Sequence, residues 1–153
     1  MSSNYLNRYG VGLHNVGSYQ VAGWPWITGS AITNGQEHHI KFPMVTKELT
    51  VVLSGTLASE ITPGEDIKIH FTSTGSSGPA VSENHYITLG DQQDSITLNV
   101  KCKEVFISAY GANLGYECIA LLTNVPTGSM FILTGSGVNE RGQAGYMGWD
   151  GDV

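Results

Sequence analysis

Apolar and polar residues alternate along much of this chain. In TKELTVVL (46–53), Leu49, Val51 and Leu53 share one side while Glu48 and Thr50 share the other. In DIKIHFT (66–72), Ile67, Ile69 and Phe71 oppose Lys68, His70 and Thr72. In SITLNVKCK (95–103), Ile96, Leu98, Val100 and Cys102 alternate with Thr97, Asn99, Lys101 and Lys103. Successive side chains of a strand point to opposite faces, so a period of two predicts half-buried antiparallel strands. A helical period is sustained nowhere, and Gly or Pro interrupts most long windows.

The alternation changes phase after Cys102, because Val105 and Ile107 in KEVFISAY lie an odd number of residues further on. A bulge or turn near Lys103–Glu104 would absorb that shift. Further strands are predicted at EHHIKF (37–42), HYITL (85–89), YECIALLT (116–123) and MFILT (130–134). Turn-forming stretches separate them: TPGED, STGSSGPA, LGDQQD, GANLG and NVPTGS. Roughly seven or eight short strands so punctuated predict an all-β fold, an antiparallel β-sandwich for which a jelly roll is one closure. The sandwich is placed at 36–134, flanked by an extended N-terminal arm, 1–35, and a Gly-rich C-terminal tail, 135–153.

Composition sharpens the reading of the flanks. Charged residues are 13% of the chain, about half of the usual ~25%. From Tyr9 to Gln36 there is no Lys, Arg, Asp or Glu, yet Tyr19, Trp24 and Trp26 all fall there. Pro25 fixes φ and holds Trp24 extended, so the VAGWPWITGS segment reads as a stiff piece presenting large anchors. It either lies across the protein's own sandwich and closes one end of the core, or docks on a neighbouring molecule. Aromatics are favoured in both places. Tyr146 and Trp149, in the C-terminal tail, are read the same way. These six residues, Tyr19, Trp24, Pro25, Trp26, Tyr146 and Trp149, form the expected interface set.

Charge also limits the partners. The net charge is −6 and only Lys101 and Lys103 lie close together, so no stripe tracks a phosphate backbone and nucleic acid is not an expected partner. No stretch approaches the ~20 apolar residues that span a bilayer. The opening MSSNYLNRYG has no basic start followed by an apolar run, so synthesis and folding in cytoplasm are expected. In that setting Cys102 and Cys118 are expected as buried thiols, with a disulfide between neighbouring strands as the lesser alternative.

No catalytic motif emerges, and the chain is expected to be a non-enzyme without cofactor or metal. The serines of TGSSG (74–78) lack the spacing of a nucleophile elbow. His38 and His39 are adjacent on a predicted strand, so their rings face opposite ways and poorly suit one metal. TPGED and GDQQD carry loop carboxylates without the spacing of a calcium loop. LTGSGVNERG has glycines but neither a phosphate-binding lysine nor a following helical pattern.

The stretches NVGSYQVAGWPWITGS, IKFPMVTKELTVV and ECIALLTNVPTGSMFILTGSGV together resemble small virion structural proteins of tailed bacteriophages, of the marine and cyanophage type. The resemblance runs from about Asn15 to Val138 and carries over no functional residue. It implies a β-rich component of the particle, a capsid decoration or cement protein before a tail or neck component. The implied partners are the major capsid protein or other virion proteins, with the virion, assembled in host cytoplasm, as its location. A homo-oligomer follows naturally, a trimer among the options because capsid lattices offer threefold positions. The competing class is a lectin-like, carbohydrate-binding sandwich, since the same fold serves both ends.

Overall fold

The computed structural model describes residues 11–55, 61–73, 85–130 and 133. Eight strands occupy them: β1 (Trp24–Ile32), β2 (Glu37–Lys41), β3 (Met44–Leu53), β4 (Asp66–His70), β5 (Ile87–Leu89), β6 (Ser95–Leu98), β7 (Glu104–Tyr110) and β8 (Leu114–Pro126). One helical turn, α1 (Gly17–Gln20), precedes them.

The strands form two four-stranded sheets, ordered β1-β8-β3-β6 and β2-β7-β4-β5. The pairings nest: β1 with β8, β2 with β7, β3 with β6, and β4 with β5, all antiparallel. The chain is thus one long hairpin, folded over so that β3 also meets β8 and β4 also meets β7. This is the strand order of a jelly roll. The expected all-β sandwich is what forms.

Alternation builds the core between the sheets. Leu49, Val51 and Leu53 of β3 and Tyr116, Cys118, Ala120 and Leu122 of β8 face Ile67 and Ile69 of β4 and Val105, Ile107 and Ala109 of β7; all are buried. A smaller cluster, Val45, Val125 and Met130, fills one end with Leu13 packed against it. It sits where the β3–β8 register shifts between Met44 and Glu48. There the Thr123 hydroxyl donates to the Val45 carbonyl at 2.7 Å and accepts from the Val125 N–H at 3.1 Å, satisfying groups the irregular ladder leaves over.

Several boundaries differ from expectation, each for an identifiable reason. The pattern at 95–103 is not one strand: β6 ends at Leu98, and the phase slip marks the crossing from one sheet to the other, after which β7 begins at Glu104. Cys102 is held in that crossing by Thr46, whose hydroxyl donates to the Val100 carbonyl at 2.7 Å and accepts the Cys102 N–H at 3.1 Å. A 3-10 turn at Thr127–Ser129 precedes the strand predicted at 130–134, of whose residues 131, 132 and 134 lie outside the described set. The segment expected as an arm, 1–35, contributes β1 to the sandwich, and the tail at 135–153 lies outside the described residues.

Both cysteines are free and buried, as expected of small apolar thiols in a reducing setting. Burial raises the Cys102 thiol to about 11 and the Cys118 thiol to about 12. Since the thiolate is the reactive form, native protein is expected to leave both thiols unmodified by a chromogenic disulfide reagent at neutral pH, while denatured protein reacts at both. Fast labelling of the native state would show that the core opens readily.

Candidate functional site: the β1–β8 surface

The uncharged N-terminal stretch is pinned to its own sandwich. The Lys47 ammonium donates to the Val21 carbonyl at 2.6 Å, and that of Lys101 to the Leu13 carbonyl at 3.1 Å. Lys101 also lies 4.4 Å from the Tyr19 ring centroid, and the Tyr19 hydroxyl donates to the Leu13 carbonyl at 2.9 Å. Two lysines borrowed from the body thus satisfy carbonyls of a segment that has no charge of its own. Residues 11–32 therefore pack on the protein's own sandwich.

β1 then runs antiparallel to β8, from Trp24 opposite Leu122 to Ile32 opposite Leu114. The two tryptophans take different roles although they share a face. Trp26 turns between the sheets and packs edge-on against Phe42, ring centroids 5.3 Å apart. Trp24, beyond the end of the core, stays 64% exposed, its indole N–H donating to the Asn124 side-chain oxygen at 2.9 Å. Pro25 is exposed on the opposite face. Tyr146 and Trp149 lie outside the described residues.

Two residues that sequence reasoning missed complete the surface. On the outer face, Ile27 stands 70% exposed directly opposite Ile119, itself 40% exposed, while Pro25 is opposite Leu121. Apolar side chains therefore occupy a solvent face where the pattern of β8 calls for polar ones. A signal was present: Ile119 and Leu121 fall out of phase with Cys118, Ala120 and Leu122. The patch grades into polar surface at the Thr50–Thr97 pair, whose hydroxyls are 2.8 Å apart.

Where β1 and β2 separate, an open cleft of about 440 Å³ is lined by Trp26, Thr28, Ser30, Glu37, His38 and Tyr116, among others. His38 Nδ1 lies 3.0 Å from the Tyr116 hydroxyl, joining the two sheets across it. His39 faces the other way, stacked on Phe106 with centroids 4.2 Å apart and its Nε2 2.6 Å from Glu104. The adjacent histidines thus serve opposite faces. The acidic turns cap themselves: Asp94 accepts from the Gly90 and Asp91 N–H groups at 3.2 and 3.1 Å, and Glu65 from the Thr62 N–H at 2.8 Å.

The most chemically suggestive group is buried. His70 Nε2 lies 2.8 Å from the Ser108 hydroxyl and Nδ1 lies 2.7 Å from the Thr72 carbonyl, an arrangement satisfied by a proton on Nδ1 and a serine donating to Nε2. Ser108 is 0% exposed and His70 1%, so the pair has the spacing of a base and nucleophile but is buried. Burial lowers the His70 pKa, opposed by the Thr72 carbonyl and by Glu37. Above the ordinary value of 6.5 the ring is neutral folded or unfolded; below it the unfolded chain binds the proton first. Stability is therefore expected to fall as pH drops through 6.5 towards the lower folded value. Urea titrations of the parent and of His70→Asn between pH 7.5 and about 5 check this, since the variant loses that part of the slope.

No family model matches this chain, and no curated protein matches it. Among solved structures it is similar to the SPBc2 prophage-derived protein YomS, at a TM-score of 0.35 and 17% identity over 66% of this chain and 97% of that one. It is also similar to a chain from a structure described as Bacillus endospore appendages forming a novel family of disulfide-linked pili. There the TM-score is 0.30 at 17% identity, over 67% of this chain and 94% of the other.

Proposed function

We propose that this chain is a virion structural protein, a capsid decoration or cement module that packs against the major capsid protein or other virion proteins. The reading rests on the β1–β8 surface. On its outer face the uncharged β1 carries Pro25 and Ile27 into solvent beside Ile119 of β8, while Trp24 stands exposed on the other face at the end of the core. Exposed apolar side chains gathered in one place, rimmed by polar residues, are what protein interfaces use. A module of this kind works by bridging neighbours, so that modest contacts act together at high effective concentration.

The test is to label particles purified from the organism that encodes the chain, with antibody raised against the recombinant protein, and view them by electron microscopy. Regular labelling of the capsid surface supports decoration, and label confined to the tail or neck moves the role there. Particles free of both label and protein overturn the reading.

The cleft beside Trp26 supports a second reading, glycan recognition. An aromatic ring, three hydroxyls, a carboxylate and an imidazole at its rim are groups that sugars engage. Quenching or shift of tryptophan fluorescence on titration with soluble glycans, lost in Thr28→Val, would favour it; no response across a glycan panel removes it.

A further inference from the structure

Among the described residues four strand edges bound the two sheets, and they are not equally protected. β2 is five residues long and carries Glu37 and Lys41. β5 has three residues and β6 four. β1 has nine, WPWITGSAI, with no charge among them and no register shift against β8. Proteins blunt open edges by keeping strands short, by charge or by bulges. Three edges here are short or charged, and β1 is left long and uncharged.

The sequence of that edge shows what fits it. Proline has no N–H to give, so within a paired strand its nitrogen belongs on the open side. Pro25 thus faces outward, and by alternation Ile27, Gly29 and Ala31 also turn their N–H and C=O groups outward. The Ala31 carbonyl already accepts the Ser30 hydroxyl at 2.9 Å and retains a second lone pair. Around Gly29 the strand reads Ile-Thr-Gly-Ser-Ala: aliphatic, hydroxyl, glycine, hydroxyl, aliphatic. That order is palindromic in kind, which is what an antiparallel strand pairing with its own copy requires.

We propose that β1 pairs edge to edge with β1 of a second copy of this chain, about a two-fold axis at Gly29. Gly29 then meets the partner's Gly29, so the backbones approach without obstruction. Ile27 lies over the partner's Ala31, large against small, and Thr28 opposes the partner's Ser30, a hydroxyl pair of the kind that stabilises neighbouring strands. Outward N–H and C=O groups of Ile27, Gly29 and Ala31 complete the ladder, which ends at Pro25 for want of a donor. The β1-β8-β3-β6 sheets of the two copies become one continuous eight-stranded sheet. An uncharged strand meets no repulsion from its own copy, and the same patch serves both partners, as a closed dimer demands. This deepens the packing role proposed above by naming one partner, and its test reads the purified protein rather than particles, so either can fail alone.

The experiment is sedimentation velocity of the full chain from about 1 to about 200 µM, where mass action shifts a reversible dimer. Ile27 and Ala31 are both exposed, so charges there leave the monomer fold intact, which circular dichroism verifies. The parent is expected to dimerise. Ile27→Lys/Ala31→Lys places like charges directly opposite each other twice, and is expected to weaken the dimer by about tenfold or more. Ile27→Lys/Ala31→Glu places opposite charges in the same positions and restores it. A parent that stays monomeric throughout, a dimer indifferent to the double-lysine variant, or a failure of the Lys/Glu pair to restore association each overturns the proposal.

Discussion

Gly111→Ala is expected to destabilise the fold by about 2–4 kcal/mol, and the reason lies entirely in backbone. Gly111 opens the turn between β7 and β8 with φ at +80°, a conformation that side chains resist. A Cβ built there would stand 2.3 Å from the Gly64 carbonyl oxygen and 3.0 Å from the Glu65 Cα. No side chain can rotate away, because both obstacles belong to the neighbouring turn, where Gly64 itself has φ at +95°. Two glycines in two turns let those turns touch. Urea unfolding should show a lowered midpoint at unchanged slope. Gly35→Ala provides the comparison: it also has positive φ, of +81°, but open space around it, so its cost is expected to be near 1 kcal/mol. Equal losses at the two sites would contradict the close approach.

Leu49→Ala is the second large effect, an expected loss of about 2–5 kcal/mol. Leu49 is 0% exposed on β3, the strand that holds both β8 and β6, and it stands opposite Ala120 and Leu98. Ala120 is already small, so the void has little nearby volume to collapse into. The same measurement on Trp24→Ala makes the contrast. Trp24 is largely solvated, and its removal is expected to change the midpoint little while altering whatever the surface binds. A Trp24→Ala loss as large as that at Leu49 would mean the indole is structural.

The period-two pattern was enough to read the sandwich, because a face that must be buried leaves its mark at every second residue. Leu49, Val51 and Leu53 are all in the core. What the pattern hid was β1. Its inward positions are Trp24, Trp26, Thr28, Ser30 and Ile32, of which only Ile32 is fully buried, so an edge strand with polar inner residues leaves no alternation to find. Composition took its place as the signal, and an absence of charge reads equally as arm or edge. The slip at Lys103 was visible but ambiguous, since a bulge and a change of sheet shift phase alike. For the surface patch the sequence carried only half the sign, Ile119 and Leu121 out of phase in β8; setting Ile27 opposite Ile119 needed the register between strands. For Tyr146 and Trp149, which lie outside the described residues, the reading remains one of composition.

The nesting of the strands also governs how the protein is made. The Trp24 indole finds its acceptor on Asn124, a hundred residues further along, and every ladder bond of β1 waits on β8. Loop closure over such spans must precede any gain, and chains dominated by distant pairings fold in milliseconds to seconds rather than microseconds. During synthesis at ~5–20 residues per second, β1 therefore emerges several seconds before the strand that completes it. A long uncharged strand is a hazard to a nascent chain for that interval. The yield of native protein on refolding should accordingly fall with protein concentration, and fall less when charges at Ile27 and Ala31 guard the strand while it waits.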